Sequence, residues 1–393
     1  MNKSSLMICG LDRKKGKGKP LYLQISNQMR SHIESGKIRP GGRLPAISDL
    51  VSQCGVDYKT VNQALQDLEQ EGLIRLDQGR GKGAIVTKNS SRKCSLMFVK
   101  WGDDVLSLEI SEGIQHFAAQ RGLEYTIVDG ARSHERFIDA LVHPIRSVDG
   151  IIVMPYEHPE YRQAILDCMK LGKKIVFVDR VLDEIPVSSV SIDHTSGAFK
   201  VTRHLLAAQG LPVYYIGFTK NPSSARDRLI GWSLAMEKYG HTKLEPYICG
   251  FSRPEHELVI SDLLGLETVY DTVLKFFESK KEKKYSIFAV NDWVAKGVYM
   301  VAESLGLRIG VDVFIAGFGN TPLCEQFEVP LTSVSQSNEL VGYEAASLLH
   351  MSLLGEIQKP VRRILPTTLY VRASSTGKIL ERQDNSNRQL SLC

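Results

Sequence analysis

Over the first ninety residues, apolar side chains recur at the spacing of α-helices. In the first such segment every fourth residue is apolar, namely Leu21, Ile25, Met29 and Ile33. The pattern predicts helices over about 21–35, 47–54 and 59–72, followed by a hairpin whose tip, at about 79–83, is rich in glycine. A helix, a turn-separated helix pair and a basic hairpin together predict a winged helix-turn-helix.

The third predicted helix has a polar N-terminal end that suits contact with DNA bases. Val61, Leu65 and Leu68 take its inward positions, and Asp57 is expected to cap it. Asparagine and glutamine pair with adenine, whereas lysine pairs with guanine or with a phosphate. Glycines at the hairpin tip let the backbone approach DNA closely, and basic neighbours supply charge. The predicted DNA-contacting residues are Arg43, Tyr58, Lys59, Thr60, Asn62, Gln63, Arg80, Gly81 and Lys82.

Positive charge is concentrated in the same part of the chain. Residues 1–93 hold 17 Lys or Arg against 8 Asp or Glu, whereas the whole chain holds 49 against 44. The remainder is therefore net negative, as expected when one part of a protein binds DNA and the other does not. The alternative is that the polar helix end is only a solvated surface.

Residues 20–86 resemble the GntR-type winged-helix DNA-binding domain. The match includes Pro-Leu-Tyr-x-Gln-Ile at the start, Ser-Gly-Lys-Ile-x-Pro-Gly-x-Arg-Leu-Pro at 35–45, and Gly-Leu-Ile followed by Gly-Arg-Gly at 79–81. Two positions depart from the family pattern: Ser48 stands where the family commonly has arginine, and Tyr58 replaces another arginine. The resemblance therefore implies an operator that differs from those of typical members.

Composition and segment boundaries predict five regions. They are a disordered basic tail at 1–19, the winged helix-turn-helix domain at 20–87, a polar linker at 88–93, a larger domain at 94–376 and a C-terminal tail at 377–393. The basic tail either adds a nonspecific phosphate contact or is simply solvated. A chain of 393 residues is long enough for a small module and a larger domain with its own core.

The remaining composition is that of an ordinary soluble protein. Hydrophobic residues make up 43% and charged residues 24%. No apolar run reaches the length that spans a bilayer, and the N-terminal apolar patch is too short for a signal peptide. Seven cysteines without paired spacing imply free thiols rather than a disulfide framework. We expect a cytoplasmic protein without membrane contact.

From Cys94 onward, short apolar runs alternate with amphipathic helices. Such alternation is typical of parallel strands joined by crossover helices. The predicted strands are Leu96–Val99, Tyr125–Val128, Gly150–Met154, Lys174–Val178, Val213–Gly217, Ser286–Val290 and Val313–Gly317. A first set of these units ends at Asp179 and a second set begins with a helix at Gly197. The pattern predicts an α/β protein with two doubly wound lobes.

Polar residues that follow these strands are candidates for one ligand-binding cleft. In open α/β sheets, ligands bind at the carboxyl ends of the strands. Acceptors, forked donors and carboxamides suit a hydroxyl-rich ligand, since each hydroxyl both donates and accepts. An aromatic side chain such as Trp101, Phe251 or Trp293 is suited to cover a sugar face. The polar candidates are Asp179, Arg228, Asn291 and Gln336. Taken singly, each also fits an exposed loop or cap residue, and Asp179 with Arg180 also fits an internal ion pair.

Residues 94–375 resemble the effector domain of LacI/GalR-type regulators, which is itself similar to periplasmic sugar-binding proteins. The motifs are Val-Asp-Gly-Ile-Ile-Val at 148–153, Arg-Leu-Ile-Gly-Trp at 228–232, Asn-Asp at 291–292 and Pro-Leu-Thr-Ser-Val at 330–334. The resemblance implies effector contacts by Asp179, Arg228, Asn291 and Gln336, joined by Asp103 or Ser107. Gly319 stands where the family has an acidic ligand contact, so the resemblance implies an altered ligand geometry.

Together these features predict a ligand-responsive transcriptional regulator like the arabinose-type regulators. We expect a homodimer that represses at a palindromic double-stranded operator and responds to a sugar or related small molecule. Two alternatives are a transport-type binding protein, which would need an export signal and no DNA-binding domain, and an enzyme. His-Glu-x-x-His, Cys-x-x-Cys, Gly-x-Ser-x-Gly and phosphate-loop motifs are all missing from the sequence. We therefore expect no catalytic residue, no metal ligand and no cofactor.

Overall fold

The structure is a computed structural model. It describes residues 11, 20–34, 37–39, 41–76, 84–87, 94–100, 104–130, 133–142, 148–220, 222–251 and 265–377. The chain divides into two compact units, the first reaching to Cys94 and the second beginning at Ser95. The following predicted residues and regions lie outside the described residues: Arg80, Gly81, Lys82, Trp101, Asp103, the linker at 88–93, and the tails at 1–19 and 377–393 apart from Leu11 and Gly377.

The first unit contains the three predicted helices. They are α1 (Leu21–Glu34), α2 (Ile47–Cys54) and α3 (Tyr58–Gln70). Gly55 takes a left-handed backbone conformation, with φ of 58°, and its amide donates to Val51 to close α2. Strands β1 (Ile74–Leu76) and β2 (Ala84–Val86) then pair antiparallel. The predicted order of helices and hairpin strands is therefore confirmed, with α3 starting one residue earlier than expected.

One apolar cluster holds this unit together. Ile25, Met29 and Ile33 of α1 pack with Val61, Leu65 and Leu68 of α3, as their spacing predicted. The guanidinium of Arg30 on α1 forms a two-pronged ion pair with Glu71 after α3, at 2.9 and 2.6 Å. Burial of the facing stripes fixes α3 against α1 and leaves the polar N-terminal end of α3 on the surface.

The second unit contains two six-stranded sheets. The first sheet has the order β13-β7-β6-β5-β3-β4, and each pair in it is parallel. Its strands are β3 (Ser95–Lys100), β4 (Glu124–Asp129), β5 (Gly150–Val153), β6 (Lys174–Val178), β7 (Ser188–Ile192) and β13 (Arg362–Leu365). The first lobe also contains α4 (Val105–Arg121), α5 (His134–Val142), α6 (Pro159–Lys170) and α12 (Asn338–Leu353).

The second sheet has the order β14-β12-β11-β10-β8-β9, parallel except for the pair β12–β14. Its strands are β8 (Val213–Gly217), β9 (Ile248–Gly250), β10 (Tyr285–Ala289), β11 (Val313–Gly319), β12 (Thr332–Ser335) and β14 (Thr368–Tyr370). The second lobe also contains α7 (His194–Gln209), α8 (Ser223–Lys238), a 3₁₀ helix (Glu245–Tyr247), α9 (Leu266–Lys280), α10 (Asp292–Ser304), α11 (Leu323–Gln326) and α13 (Ala373–Thr376).

The chain passes between the two lobes three times, from β7 to α7, from β12 to α12 and from β13 to β14. Each lobe is therefore completed by a distant part of the sequence, as α12 and β13 show for the first lobe. This confirms the prediction of a two-lobed α/β architecture. The sequence interpretation assigned the two sets of units to consecutive halves of the chain and missed β7, β9, β13, β14, α9 and α12.

Helices pack closely in both lobes because glycine stands where they meet. A Cβ at Gly113 of α4 would lie 1.8 Å from the carbonyl oxygen of Glu339 in α12. In the second lobe, a Cβ at Gly231 of α8 would lie 2.1 Å from the carbonyl oxygen of Thr195 in α7. Only a residue without a Cβ permits such an approach of two backbones.

Among the described residues, we find no helix that combines the length and the apolar character needed to cross a membrane.

Candidate functional site

The N-terminal end of α3 is stabilised by a side-chain cap. The backbone amide of Thr60 donates to Oδ1 of Asp57 at 2.7 Å, as predicted for a capping residue. That hydrogen bond lowers the pKa of the Asp57 carboxyl below its usual value. The cap keeps the first turn of the helix ordered and directs the positive end of the helix dipole toward the surface.

The predicted reading residues surround this helix end. Tyr58 is 60% exposed, Lys59 and Gln63 are also exposed, and Thr60 and Asn62 are half-buried. The Nε2 of Gln63 donates to Oδ1 of Asp67 one turn along, at 3.0 Å. Arg43 is exposed, and its backbone pairs with Ile85 of β2 in an isolated antiparallel β-bridge. This pairing places Arg43 beside the hairpin strands. An exposed aromatic, a lysine and two carboxamides at one helix end can contact base edges and phosphates together.

In the second unit, Asp179 directly follows β6 and is only 6% exposed. Its φ of 62° is unusual for a residue other than glycine, and such conformations occur often at functional sites. Oδ2 lies 3.2 Å from Nε of Arg180, and Oδ1 lies 3.4 Å from Nε2 of His194. Burial would raise the pKa of Asp179, but the hydrogen bond from His194 and the charges of Arg180 and Arg228 outweigh burial and hold that pKa well below its usual value.

Arg228 lies in the second turn of α8 and is 7% exposed. Its Nε donates to Nδ1 of His194 at 3.3 Å, its Nη1 to the carbonyl of Val290 at 2.8 Å, and its Nη2 to Oε1 of Gln336 at 3.4 Å. The guanidinium stacks 4.0 Å from the ring centre of Phe318. Burial lowers the pKa of Arg228 to about 10, so the side chain is a cation at neutral pH.

One hydrogen-bonded chain therefore joins three of the predicted effector residues. Because Nδ1 of His194 accepts from Arg228, its Nε2 carries the proton and donates to the carbonyl of Asp179 at 3.2 Å. The chain runs from Asp179 through His194 and Arg228 to Gln336, which is also buried. These four residues and Arg180 are called the cleft residues below.

The carboxylate of Asp292 accepts hydrogen bonds from residues of the second lobe. Its Oδ2 accepts from the backbone amide and the hydroxyl of Thr321, at 2.8 and 3.0 Å, and its Oδ1 accepts from Ser333 at 2.6 Å. Gly319 lies against this carboxylate with φ of 133°, and a Cβ there would be 2.9 Å from Oδ2. The packing thus gives a physical reason for glycine at the position where the family has an acid.

The other predicted effector residues have local roles. Asn291 caps α10, because its Oδ1 accepts from the amide of Val294 at 2.8 Å. Ser107 is buried and donates from Oγ to Oδ2 of Asp104, the cap of α4, at 3.0 Å. Phe251 packs on Phe218 with ring centres 5.3 Å apart, and Trp293 is half-buried in the first turn of α10.

The sequence pattern predicts that the helix after Val213–Gly217 begins at Arg228, and this prediction is wrong. The helix begins at Ser223. Pro222 stands at its N-cap position, and the small residues of its first turn are buried. The interpretation also left out His194, Phe318 and Asn320. A histidine two residues after the end of a strand was the available signal for His194, whereas nothing in the local pattern marks Phe318, which is buried in β11.

Replacing Asp179 with asparagine tests the electrostatic role of its carboxylate. Because its folded-state pKa is lowered, the carboxylate stabilises the fold above its unfolded pKa, and this stability is lost as the pH falls. We expect the variant to be less stable than the parent above about pH 5, and the difference to shrink as the pH falls further. Urea unfolding at a series of pH values measures it; a difference that grows toward acid pH would contradict the assignment.

Two family models match the chain. Residues 21–83 match the bacterial regulatory proteins of the gntR family, and residues 202–375 match the periplasmic binding protein-like domain. These matches and the fold define the class: the chain is a transcriptional regulator in which a GntR-type winged helix-turn-helix is joined to a LacI/GalR-type, periplasmic-binding-protein-like domain. Both predicted resemblances are confirmed.

The relatives share this class. The arabinose metabolism transcriptional repressor of Geobacillus stearothermophilus is 24% identical over 344 residues, which cover 85% of this chain and 92% of the relative. The HTH-type transcriptional regulator CelR of Thermobifida fusca is 27% identical over 268 residues, or 67% of this chain and 74% of the relative. The solved CelR–cellobiose complex superposes with a TM-score of 0.63 at 20% identity, covering 84% of this chain and 100% of that one.

Proposed function

We propose that this regulator is a repressor that binds a palindromic operator as a homodimer and responds to a sugar or related small polar molecule. The proposal is supported by the hydrogen-bonded chain from Asp179 to Gln336, which joins the lobes through His194 at the first crossing. A ligand that bonds to residues of both lobes changes their preferred relative orientation. A dimer can transmit such a change as a new separation of its DNA-binding helices.

Contacts near the first crossing connect the segment after β6 in the first lobe to α8 in the second lobe. The amide of Val181, after β6, donates to the hydroxyl of Ser223 at the start of α8, at 3.0 Å. Arg226 on α8 pairs with Asp183 at 3.1 Å. Because these contacts flank Asp179 and Arg228, a ligand at the cleft residues acts on the same connection between lobes.

The relatives support the sugar class and the absence of an enzymatic role. One is named for arabinose metabolism and another is solved with cellobiose, and each is described as a regulator. The cleft residues of this chain offer a fork of donors, a carboxylate and a carboxamide, which together match a ligand rich in hydroxyl groups.

Operator selection tests the DNA-binding half of the proposal. Purified full-length protein is mixed with random duplexes, bound sequences are recovered, and the selected site is footprinted with and without a panel of sugars. We expect a protected site with two-fold symmetry, and release of the protein by at least one member of the panel. Equal affinity for every sequence, or a site without two-fold symmetry, would contradict the proposal.

The substitution Lys59→Ala tests the predicted reading end of α3. Removal of one phosphate contact per half-site is expected to weaken operator binding by roughly tenfold per half-site and to reduce the salt slope by about one per half-site, or about two for the dimer. Lys275→Ala, which removes an exposed lysine from α9, is the matched control and is expected to leave binding unchanged. Affinity measured by fluorescence anisotropy over a range of salt concentrations separates the two; an unchanged slope for Lys59→Ala would remove Lys59 from the interface.

A further inference from the structure

We propose that Ser337, at the second crossing between the lobes, is a positioning residue that sets the balance between two relative orientations of the lobes. Its backbone has a left-handed conformation that is unfavourable for serine, so the orientation in this structure is less favoured than it would be with glycine at position 337. The inference rests on the proposed function, because it names the residue through which lobe rotation changes the affinity for an effector.

Ser337 has an unusual backbone conformation for its place in the chain. Its φ is 49° and its ψ is 48°, in a region that few residues other than glycine, asparagine and aspartate adopt. It occupies the N-cap position of α12, but its side chain makes no capping hydrogen bond. N-cap residues ordinarily have an extended backbone and cap the helix with the side chain. The tertiary structure therefore imposes a conformation that Ser337 itself does not favour.

Ser337 lies between attachments to the two lobes. On its N-terminal side, β12 pairs with β11 and β14 of the second lobe as far as Ser335, and Gln336 is buried in the cleft. On its C-terminal side, Nδ2 of Asn338 donates to Oε2 of Glu109 in α4 of the first lobe, at 2.8 Å. Because both flanks are attached, the φ and ψ of Ser337 determine the direction in which α12 leaves the second lobe.

The other two crossings have ordinary backbone conformations. At the first, Asp193 has a φ of −77°, and its amide donates to the carbonyl of Leu365 at the end of β13, at 2.8 Å. At the third, the ring of Pro366 fixes its own φ, and Nζ of Lys200 donates to the carbonyl of Thr367 at 3.2 Å. Backbone torsions at the crossings must absorb any rotation of the lobes. Of the three crossings, the second therefore contains the residue whose torsional preference opposes the orientation seen here.

The positions of similar conformations elsewhere support this role. Among the described residues, four other than glycine have a positive φ, namely Asp179, Lys281, Asn320 and Ser337. Asp179 and Asn320 directly follow β6 and β11, at the carboxyl ends of the two sheets. Unfavourable backbone conformations are concentrated at sites that bind or move. Lys281 is different, because it is an exposed C-cap of α9 away from the crossings.

Contacts between the lobes determine the direction of the expected effect. Nε2 of His194 in the second lobe donates to the carbonyl of Asp179 in the first, at 3.2 Å. Polar groups of both lobes thus meet at one cleft, and a ligand that bonds to both lobes favours this orientation. Glycine adopts the left-handed conformation without a penalty, so Ser337→Gly favours the same orientation. Valine adopts that conformation least readily, because it is branched at Cβ, so Ser337→Val opposes this orientation.

Distances between the lobes test the inference without a ligand. Spin labels are attached through noncanonical amino acids at Gln115 of α4 and Glu237 of α8, both exposed, in full-length protein diluted with unlabelled protein. Double electron–electron resonance then gives the ratio of two distance populations. We expect that ratio to shift about fivefold toward the present orientation in Ser337→Gly, and about fivefold or more away from it in Ser337→Val. Only folded molecules are compared, so the effect of glycine on the unfolded chain does not contribute.

Lys281→Gly and Lys281→Val are the matched controls. Lys281 has nearly the same backbone conformation, with φ of 50° and ψ of 39°, but it lies at the end of α9. Both controls change the same torsional preference outside the crossings and should leave the distance populations of the parent unchanged. Populations that are equal in the parent and in both Ser337 variants, or that shift in one direction for both, would overturn the inference.

Sugar binding separates this inference from the proposed function. The panel consists of arabinose, glucose, galactose, cellobiose and their sugar acids, each titrated into the parent and the Ser337 variants by calorimetry. The member that releases the parent from its operator is expected to bind Ser337→Gly up to about fivefold more tightly, and Ser337→Val more weakly. If the distances shift but no member of the panel binds, the role of Ser337 stands and the sugar response is overturned. If the effector binds all three proteins equally and releases the operator, the proposed function stands and the role of Ser337 is overturned.

Discussion

The substitution Gly231→Ala is expected to destabilise the second lobe by about 3 kcal/mol or more, because its new methyl group has no space. The added Cβ would lie 2.1 Å from the carbonyl oxygen of Thr195 and 2.9 Å from the Cβ of Ala198. Both contacts are far inside van der Waals distance, and one of them is made by backbone of α7. Helices α7 and α8 must therefore separate, which disturbs the packing around Arg228 and His194.

Denaturant unfolding followed by circular dichroism measures this effect. Gly265→Ala is the control, because nothing lies within 4 Å of a Cβ there and its φ of −49° suits any residue. The control is expected to change the free energy of unfolding by less than about 1 kcal/mol. If Gly231→Ala behaves like the control, the close approach of α7 and α8 is incorrect.

The substitution Arg228→Ala is expected to abolish the response to effector while the protein still binds its operator. The change removes the donors that join His194, Val290 and Gln336, and with them the link from the second lobe to Asp179. Loss of a buried charged hydrogen-bonding group from a binding site costs roughly 3 to 5 kcal/mol. The effector that releases the parent protein should therefore bind the variant at least about a hundredfold more weakly.

Arg308→Ala provides the comparison, since Arg308 is mostly exposed and pairs with Asp312 four residues along the chain. That substitution is expected to leave the effector response intact, because an exposed ion pair contributes little. Operator release, followed by anisotropy as each member of the sugar and sugar-acid panel is titrated, compares the three proteins. An effector response that survives in Arg228→Ala would exclude Arg228 from the effector site.

The sequence predicted elements best where burial is periodic. The apolar stripe of α1 and the strands around Ile151 and Ile175 are buried on the faces that the pattern indicated. It predicted less well where tertiary contacts decide the structure. Strand β9 is only half-buried along its length and β13 alternates between exposed and half-buried, so neither carries a strong apolar signal. Both form because a neighbouring strand offers hydrogen bonds.

The candidate site was predictable in part. Asp179 and Gln336 follow strands directly, so the rule on carboxyl ends of parallel strands located them. His194 lies at the first crossing, and its bridging role depends on how the chain returns from one sheet to the other. Periodicity within one segment contains no information about such a return. The sequence pattern also does not show that the carboxylate of Asp292 already accepts hydrogen bonds, because its partners Thr321 and Ser333 come from two other parts of the chain.

The glycine contacts at Gly113 and Gly231 have a mechanical consequence. Each glycine contact holds α12 or α7, the helix that follows a crossing between the lobes, against a neighbouring helix of the same lobe. The two helix backbones are in close contact there. Bending inside either lobe would break those contacts, so we expect flexing to concentrate in the short segments before α7, α12 and β14. We then expect effector binding to rotate the two lobes as rigid bodies about those segments, with little deformation inside either lobe.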